Sequence, residues 1–248
     1  MEKKILEVSN LCVSYESSRK TPFEKKKSIQ VLKDVSFSME KGEIVGLVGE
    51  SGSGKTTLAR AILNMVPYEG TVNRLDSNFQ MVFQDPYGSL NPAKKVSWIL
   101  EEPLRLKGGY TKEERVKKVI SMLHRVGLDE KFMDRYPNQL SGGQRQRVCI
   151  AGALMLEPSL LITDEPVSAL DVTIQAQILE LFDKIQEEMN LSILFISHDL
   201  RVVYQMCDRV LIMKSGQIVE EGPVEEVYFH HKHPYTGELL KAAGIILP

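Results

Sequence analysis

Residues 43–56 read Glu43-Ile44-Val45-Gly46-Leu47-Val48-Gly49-Glu50-Ser51-Gly52-Ser53-Gly54-Lys55-Thr56. The first six make a short apolar run. The last eight fit G-x-x-x-x-G-K-[ST], with Thr57 after them, and a helix-like stretch runs from Lys55 to Met65. Strand, glycine-rich turn and helix in that order are the context such a motif needs. Successive backbone N–H groups of the turn form a concave nest for phosphate oxygens, and the helix N-terminus adds a dipole favouring the same charge. Glycine permits φ values and close approaches that a side chain blocks. The pattern assigns Lys55 to the β- and γ-phosphates and Thr56 to Mg²⁺. Alone, it says nucleoside-triphosphate enzyme or kinase and no more.

The neighbouring segments supply an α/β frame. Upstream, Ile5–Tyr15 alternates as a strand, with Ile5, Glu7 and Ser9 against Leu6 and Val8, and Val31–Met39 is a second strand-like run. Between them Ser17–Lys27 is polar and basic, which reads as a solvated loop. Downstream, Phe79–Phe83 is a short strand, and residues 92–152 read mainly as helices, with Val116, Val119, Ile120, Leu123 and Val126 at helical spacing. Strands follow at Leu160–Thr163 and Ser192–Ile196, helices at Val172–Met189 and Leu200–Met206. A hairpin of Val210–Met213 and Gln217–Glu220 turns at Ser215-Gly216. This order implies a parallel α/β core with a helical piece inserted between its halves.

Several polar residues end apolar strands, where ligands of parallel sheets sit. Leu160–Thr163 runs into Asp164 and Glu165: the first is placed to meet a metal, the second to take a proton from an attacking water. Paired acids in a loop are usually solvated charge; the buried strand before these favours the functional reading. Ser197-His198-Asp199 ends another apolar strand, so His198 is either a structural histidine or a sensor of the γ-phosphate. Gln84, in Phe83-Gln84-Asp85-Pro86, is a further candidate ligand of Mg²⁺ or water.

The segment Leu140-Ser141-Gly142-Gly143-Gln144-Arg145-Gln146-Arg147 decides among the triphosphate enzymes. It resembles the LSGGQ signature of ABC-type ATPases, and the other pieces then fall into that family's order. Tyr15 resembles the adenine-stacking aromatic, Gly49–Thr56 the Walker A loop, Gln84 the Q-loop glutamine and Leu160–Glu165 the Walker B strand with its acid. Ser168-Ala169-Leu170-Asp171 resembles the D-loop and His198 the switch histidine. The resemblance covers nearly the whole chain, and six ordered motifs make it specific. It implies ATP and Mg²⁺ as cofactors, with Thr56, Gln84 and Asp164 on the metal and Glu165, His198, Gln84 and Lys55 in catalysis. Tyr15, Gly49–Thr57, Ser141, Gly142, Gly143, Gln144 and Asp171 would line the nucleotide. Ser141 and the two glycines form a second N–H-rich helix start, hence a second anion site. In this family two such domains pair head to tail, each signature closing over the other's nucleotide.

The implied fold is a P-loop NTPase core of mostly parallel sheet, with an N-terminal antiparallel β lobe and an inserted helical subdomain. The expected organisation is one cassette: residues 1–84 and 153–220 as core and β lobe, 85–152 as the signature subdomain, 221–248 as a C-terminal tail. Phe83–Pro92, Val167–Leu179 and His233-Pro234-Tyr235-Thr236 resemble the importers of oligopeptides, dipeptides and nickel. With no Cys after Cys207, the chain resembles the subunit lacking the iron–sulfur cluster. The implied partners are a second ATPase subunit, a paralogue or itself, two transmembrane permease subunits and an extracytoplasmic solute-binding protein. The implied place is the cytoplasmic face of the membrane.

Composition agrees. At 248 residues, 43% apolar and 26% charged, the chain has enough apolar surface to fold as an ordinary globular protein. Its net charge of −2 gives no support to a nucleic-acid partner. No apolar run approaches the roughly 20 residues of a membrane span, and the charged start lacks a signal-peptide core. Cys12, Cys149 and Cys207 are too scattered for a zinc or iron–sulfur site. One rival reading is a non-transport ABC ATPase acting on ribosomes or DNA, which usually carries two cassettes or long coiled-coil insertions. A binding module with a dead site is opposed by Lys55, Asp164, Glu165 and His198, and a small-molecule kinase by the signature.

Overall fold

The computed structural model describes residues 4–16, 28–76, 78–168 and 170–245, and all their side chains except those of Pro86 and Tyr87. The basic segment Ser17–Lys27 and Ala169 lie outside the described residues. In chain order the elements are β1 (Lys4–Glu16), β2 (Ser28–Glu40), β3 (Ile44–Val48), α1 (Lys55–Ile62), β4 (Glu69–Arg74), β5 (Phe79–Val82), α2 (Pro86–Ser89), α3 (Val96–Lys107) and α4 (Lys112–Arg125). Then come α5 (Gly142–Leu154), β6 (Leu160–Asp164), α6 (Val172–Met189), β7 (Ser192–Ile196), α7 (Leu200–Met206), β8 (Arg209–Lys214), β9 (Gln217–Pro223), α8 (Val224–His230) and α9 (Pro234–Ala242). The chain forms two compact units, Met1–Ser77 with Leu194–Pro248, and Asn78–Ile193. Beyond the helical segment 85–152, the second unit takes in β5, β6 and α6.

In the first unit β1 lies between β2 and β4, antiparallel to both. The alternation expected over Ile5–Tyr15 holds for Leu6 and Val8, which are buried, and then changes phase: Leu11 and Val13 are the next inward residues. The break is at Asn10, whose φ of 53° puts an extra residue into the strand. Its side-chain amide donates to Asp34 Oδ1 at 2.7 Å, and Asp34 is also left-handed, with φ 54°. Across the sheet sits Gly70, where a Cβ would stand 2.3 Å from the Asn10 carbonyl oxygen. β4 has no buried position, so it carries no apolar pattern by which sequence alone would mark a strand.

The five residues of β3 are all buried, and β3 pairs in parallel with β8. Gly46 allows α7 to lie close, since a Cβ there would meet Val203 Cγ1 at 2.6 Å. The β8–β9 hairpin turns through Ser215 and Gly216, both at positive φ (49° and 86°), as a two-residue hairpin turn requires. The expected extent of α1, to Met65, is three residues too long: the chain leaves the helix through Asn64 at φ 59°, a left-handed exit that asparagine tolerates. Within the C-terminal tail, α8 and α9 follow β9. Tyr228 of α8 is buried and its hydroxyl donates to the Leu200 carbonyl at 2.6 Å.

In the second unit β5 pairs in parallel with β6, and α2 to α5 lie between them in sequence, so the inserted helical piece is present. Thr111 caps α4 reciprocally with Glu114. Leu100 and Leu104 of α3, Val119 and Leu123 of α4, and Val148 and Ile150 of α5 are buried. On α6, the spacing of Ile174, Ile178, Leu181, Phe182 and Ile185 predicts one apolar face; the last four are buried and Ile174, in the first turn, is half-buried. The pairings are parallel at β3–β8 and β5–β6 and antiparallel at β1–β2, β1–β4 and β8–β9, which places the chain in the expected α/β class.

Candidate functional site

The first grouping lies in the first unit, where β3 delivers the chain to Gly49 and α1 takes it away at Lys55. A Cβ on Gly49 would stand 2.1 Å from the Met213 carbonyl oxygen of β8, so any other residue would displace the loop. Gly54 has φ 113°, and Gly52, at φ 80°, has open space around it. Lys55 is only 7% exposed; its Nζ donates back to the carbonyls of Gly49 at 2.7 Å and Glu50 at 3.0 Å. Glu50 and Ser51 are exposed at the loop's outer turn, while Thr56 and Thr57 are half-buried in the first turn of α1.

Two features fit this loop to a phosphate chain. The N-cap of α1 is Gly54, which has no side chain to cap the helix, so the positive end of the α1 dipole faces the loop directly. Beside them the Ser53 hydroxyl is buried without a hydrogen-bond partner. A buried polar atom of that kind costs stability unless something binds it.

The loop is also braced from outside, by residues that no sequence motif marks as part of a site. Gly216 of the β8–β9 turn donates its N–H to the Ser53 carbonyl at 2.9 Å. The Tyr235 hydroxyl on α9 accepts the Glu50 N–H at 3.3 Å. Tyr15 stands at the end of β1, opposite Ile29, with 39% of its surface exposed. His198 is exposed just after β7; its neighbour Asp199 caps α7, accepting the Arg201 N–H at 2.9 Å.

The second grouping lies in the second unit. Asp164 ends β6 only 4% exposed, next to Thr163, whose buried hydroxyl lacks a hydrogen-bond partner. Glu165 follows at φ 49°, left-handed for a non-glycine residue, the kind of outlier that collects at functional sites. Its Oε2 accepts from Gln84 Nε2 at 3.0 Å, so the structure brings these two predicted residues together. Its carbonyl accepts the Ser168 hydroxyl at 3.1 Å, closing the turn towards Asp171. Asp171 caps α6 through the Ile174 N–H at 3.0 Å. Gln175 holds the same turn, donating to the carbonyls of Val167 at 3.0 Å and Leu170 at 3.1 Å.

Ser141 and Gln144 cap α5 reciprocally, at 3.0 and 3.3 Å, and Gly142 and Gly143 form the first turn. A Cβ on Gly143 would stand 2.6 Å from Ile174 Cγ2, and one on Gly142 3.6 Å from Leu170 Cδ2. The start of α5 therefore rests on the Leu170–Ile174 segment, and Ser141–Gln144 and Asp171 form one neighbourhood. Arg145, 7% exposed, donates to the carbonyls of Pro137 and Leu140, each at 2.7 Å, holding the turn before the helix. No sequence motif marks Arg145 or Gln175 for these roles. Their partners are carbonyls, which leave no trace in residue type. An apolar groove of about 230 Å³ opens in this unit, lined by Phe83, Ser89, Leu90, Ile99, Pro103 and Cys149 among others.

A model of the ABC transporter family matches residues 32–168. The chain belongs to that family. Dipeptide transport ATP-binding protein DppF of Haemophilus influenzae is 44% identical over 251 residues, covering 94% of this chain and 76% of that protein. Oligopeptide transport ATP-binding protein OppF of Streptococcus mutans is 45% identical over 257 residues, covering 97% of this chain and 82% of its own length. Among solved structures, the dimeric post-hydrolysis state of the ATP-binding cassette MJ0796, bound to ADP and Pi, superposes with a TM-score of 0.76 at 31% identity. It covers 88% of this chain and 98% of that one. This ABC cassette is accordingly an ATP-binding, ATP-hydrolysing protein. No helix among its described residues is long and apolar enough to cross a membrane.

Proposed function

We propose that this cassette powers the import of dipeptides or oligopeptides, paired with a second cassette and docked on the cytoplasmic side of two membrane-spanning permease subunits fed by a solute-binding protein. The peptide-transport ATP-binding proteins at 44–45% identity support the solute class. The nickel importers named from sequence have no such support beyond the shared resemblance. The observation that carries the chemistry is the pair of preformed groupings: a glycine-lined helix start with Gly54 at its N-cap and Lys55 behind it, and Glu165 held by Gln84 after β6.

In this reading Lys55 and the N–H groups of Gly49–Thr57 hold the ATP phosphates, and Tyr15 stacks on adenine. Thr56, Gln84 and Asp164 would hold Mg²⁺, which when bound neutralises phosphate charge. Glu165 takes the proton of the attacking water and His198 senses the γ-phosphate. Ser141–Gln144 and Asp171 act on the nucleotide of the partner cassette. The dimeric state of the MJ0796 cassette supports that pairing. The groove beside Ser89 is the proposed seat of a permease helix: it is apolar, open, and continuous in sequence with Gln84.

Reconstitution tests the proposal. The cassette and the membrane subunits that copurify with it are placed in vesicles, ATP is supplied, and uptake of a labelled peptide is measured. Uptake that stops with Lys55→Ala is expected, as is a crosslink from a cysteine at Ser89 to a permease. Copurification with ribosomes or DNA instead of membrane proteins would favour the non-transport ABC ATPase.

A further inference from the structure

We infer that Tyr235 is a positioning residue of the ATP site, through which the C-terminal helix sets the shape of the phosphate-binding loop. The inference rests on the reading of Gly49–Thr57 as that loop.

Four consecutive residues, His233-Pro234-Tyr235-Thr236, each have a defined part. His233 caps α9, its Nδ1 accepting the Tyr235 N–H at 3.2 Å. Pro234 takes the first helical position, where its missing N–H costs nothing. The Thr236 hydroxyl donates to Glu220 on β9, and Glu220 also accepts the backbone N–H groups of Lys232 at 2.5 Å and His233 at 3.2 Å. The start of α9 is thus fastened to the sheet, and what the fastening presents is the Tyr235 ring. That ring is 2% exposed, covered by the Lys214 ammonium at 4.2 Å from its centre. Its hydroxyl reaches the Glu50 N–H, 185 positions earlier in the chain.

The position of that N–H gives the contact its consequence. Glu50 is the residue after Gly49, where the loop leaves β3, and its carbonyl accepts from both Lys55 Nζ and the Ser53 N–H. The Glu50 peptide units are therefore held on one side by the groups that bind phosphate and on the other by Tyr235. If the Glu50 N–H lost its acceptor, the Gly49–Glu50 peptide unit could rotate and carry with it the Gly49 carbonyl that anchors Lys55. Preorganised donors bind an anion more tightly than donors that must first be ordered. α9 therefore acts on nucleotide affinity without touching nucleotide.

Tyr235→Phe keeps the ring, its burial and the Lys214 contact, and removes only the oxygen. ATP affinity of the purified cassette and its KM in the assembled complex are measured beside melting without nucleotide. Affinity should fall about 3- to 10-fold, the effect of one lost hydrogen bond, with KM rising alike, kcat within about twofold and melting lowered by only about 2–4 °C. Lys55→Ala serves as the reference. Unchanged affinity in Tyr235→Phe, where Lys55→Ala abolishes binding, overturns the role of Tyr235 alone. If Lys55→Ala also binds ATP normally, the reading of the loop fails and this inference with it. Hydrogen exchange of the unsubstituted protein gives a check that needs no variant. The Glu50 amide should be protected, and a Glu50 amide exchanging as fast as an unstructured peptide overturns the contact.

Discussion

Gln84 donates its side-chain amide to the Glu165 carboxylate at 3.0 Å, across 81 positions of sequence. Glu165 sits in a left-handed backbone conformation, so its carboxylate leaves the line of β6 and is fixed by a neighbour from the loop after β5. Glu165→Gln should keep ATP binding yet slow hydrolysis by roughly 10²–10⁴-fold, because the proton acceptor is gone while the shape remains. ATPase assays of the assembled complex, with bound nucleotide measured in parallel, decide it. Near-normal turnover would remove Glu165 from the base role.

Gly143 and Gly142 should respond differently to the same substitution. Any side chain at Gly143 collides with Ile174, so Gly143→Asp should lower the melting temperature as well as activity. Gly142→Asp has room against Leu170 and should abolish ATPase with little loss of stability, placing a carboxylate where the proposed pairing puts a partner's phosphate. If the chain pairs with itself, mixing Gly142→Asp with Lys55→Ala should restore partial activity, since the mixed dimer holds one complete site. Mixed dimers that bind no ATP at that site would count against sharing.

Tyr15 offers an exposed ring and no hydrogen bond is required of it. Tyr15→Ala should weaken ATP binding by about 1–3 kcal/mol, by analogy with base stacking, while Tyr15→Phe should leave it unchanged. Competition between ATP and a triphosphate lacking the base separates the cases: the advantage of ATP should shrink in Tyr15→Ala alone. If it persists, Tyr15 only packs.

The Glu220 clamp should weaken in acid. Burial by itself raises this carboxyl; the N–H of Lys232, the Thr236 hydroxyl, the N–H of His233 and the charge of His231 together bring it below its ordinary 4.5. A carboxyl lowered on folding contributes stability above its unfolded value, and that contribution is lost as pH falls through the folded one. Melting of the parent and of Glu220→Gln should therefore differ near neutrality and converge below about pH 4.5. A gap that is constant with pH would mean that the charge plays no part.

Cys149 lines the apolar groove, and its thiol is pushed up to about 12, first by burial and then by the charge of Asp85. At pH 8 only about one molecule in 10⁴ carries the thiolate, the reactive form. Maleimide labelling should be far slower at Cys149 than at a cysteine introduced at Ser89, followed by peptide mass mapping. Equal rates would show that the groove is wetter than this packing implies.

The glycine-rich loop before α1, the acid pair at the end of β6 and the glycine-rich start of α5 could be read from sequence because each is contiguous: a few adjacent residues carry both the geometry and the chemistry. The same holds for α6 and β7, whose spacing and β-branched content match the structure at both ends. β4 escaped because an exposed edge strand carries no buried pattern. The phase change at Asn10 escaped because a bulge depends on Asp34 and Gly70, which are distant in sequence. The contacts that tune the site are of this second kind. Gln84 meets Glu165, Gly143 meets Ile174 and Tyr235 meets Glu50 only because packing closes long loops, and nothing local in any of these segments names its partner. The chain's order of motifs thus determines which chemistry is present. Which side chains hold those motifs in shape is decided by the tertiary structure, where burial makes every unpartnered N–H or carbonyl costly and so selects its partner.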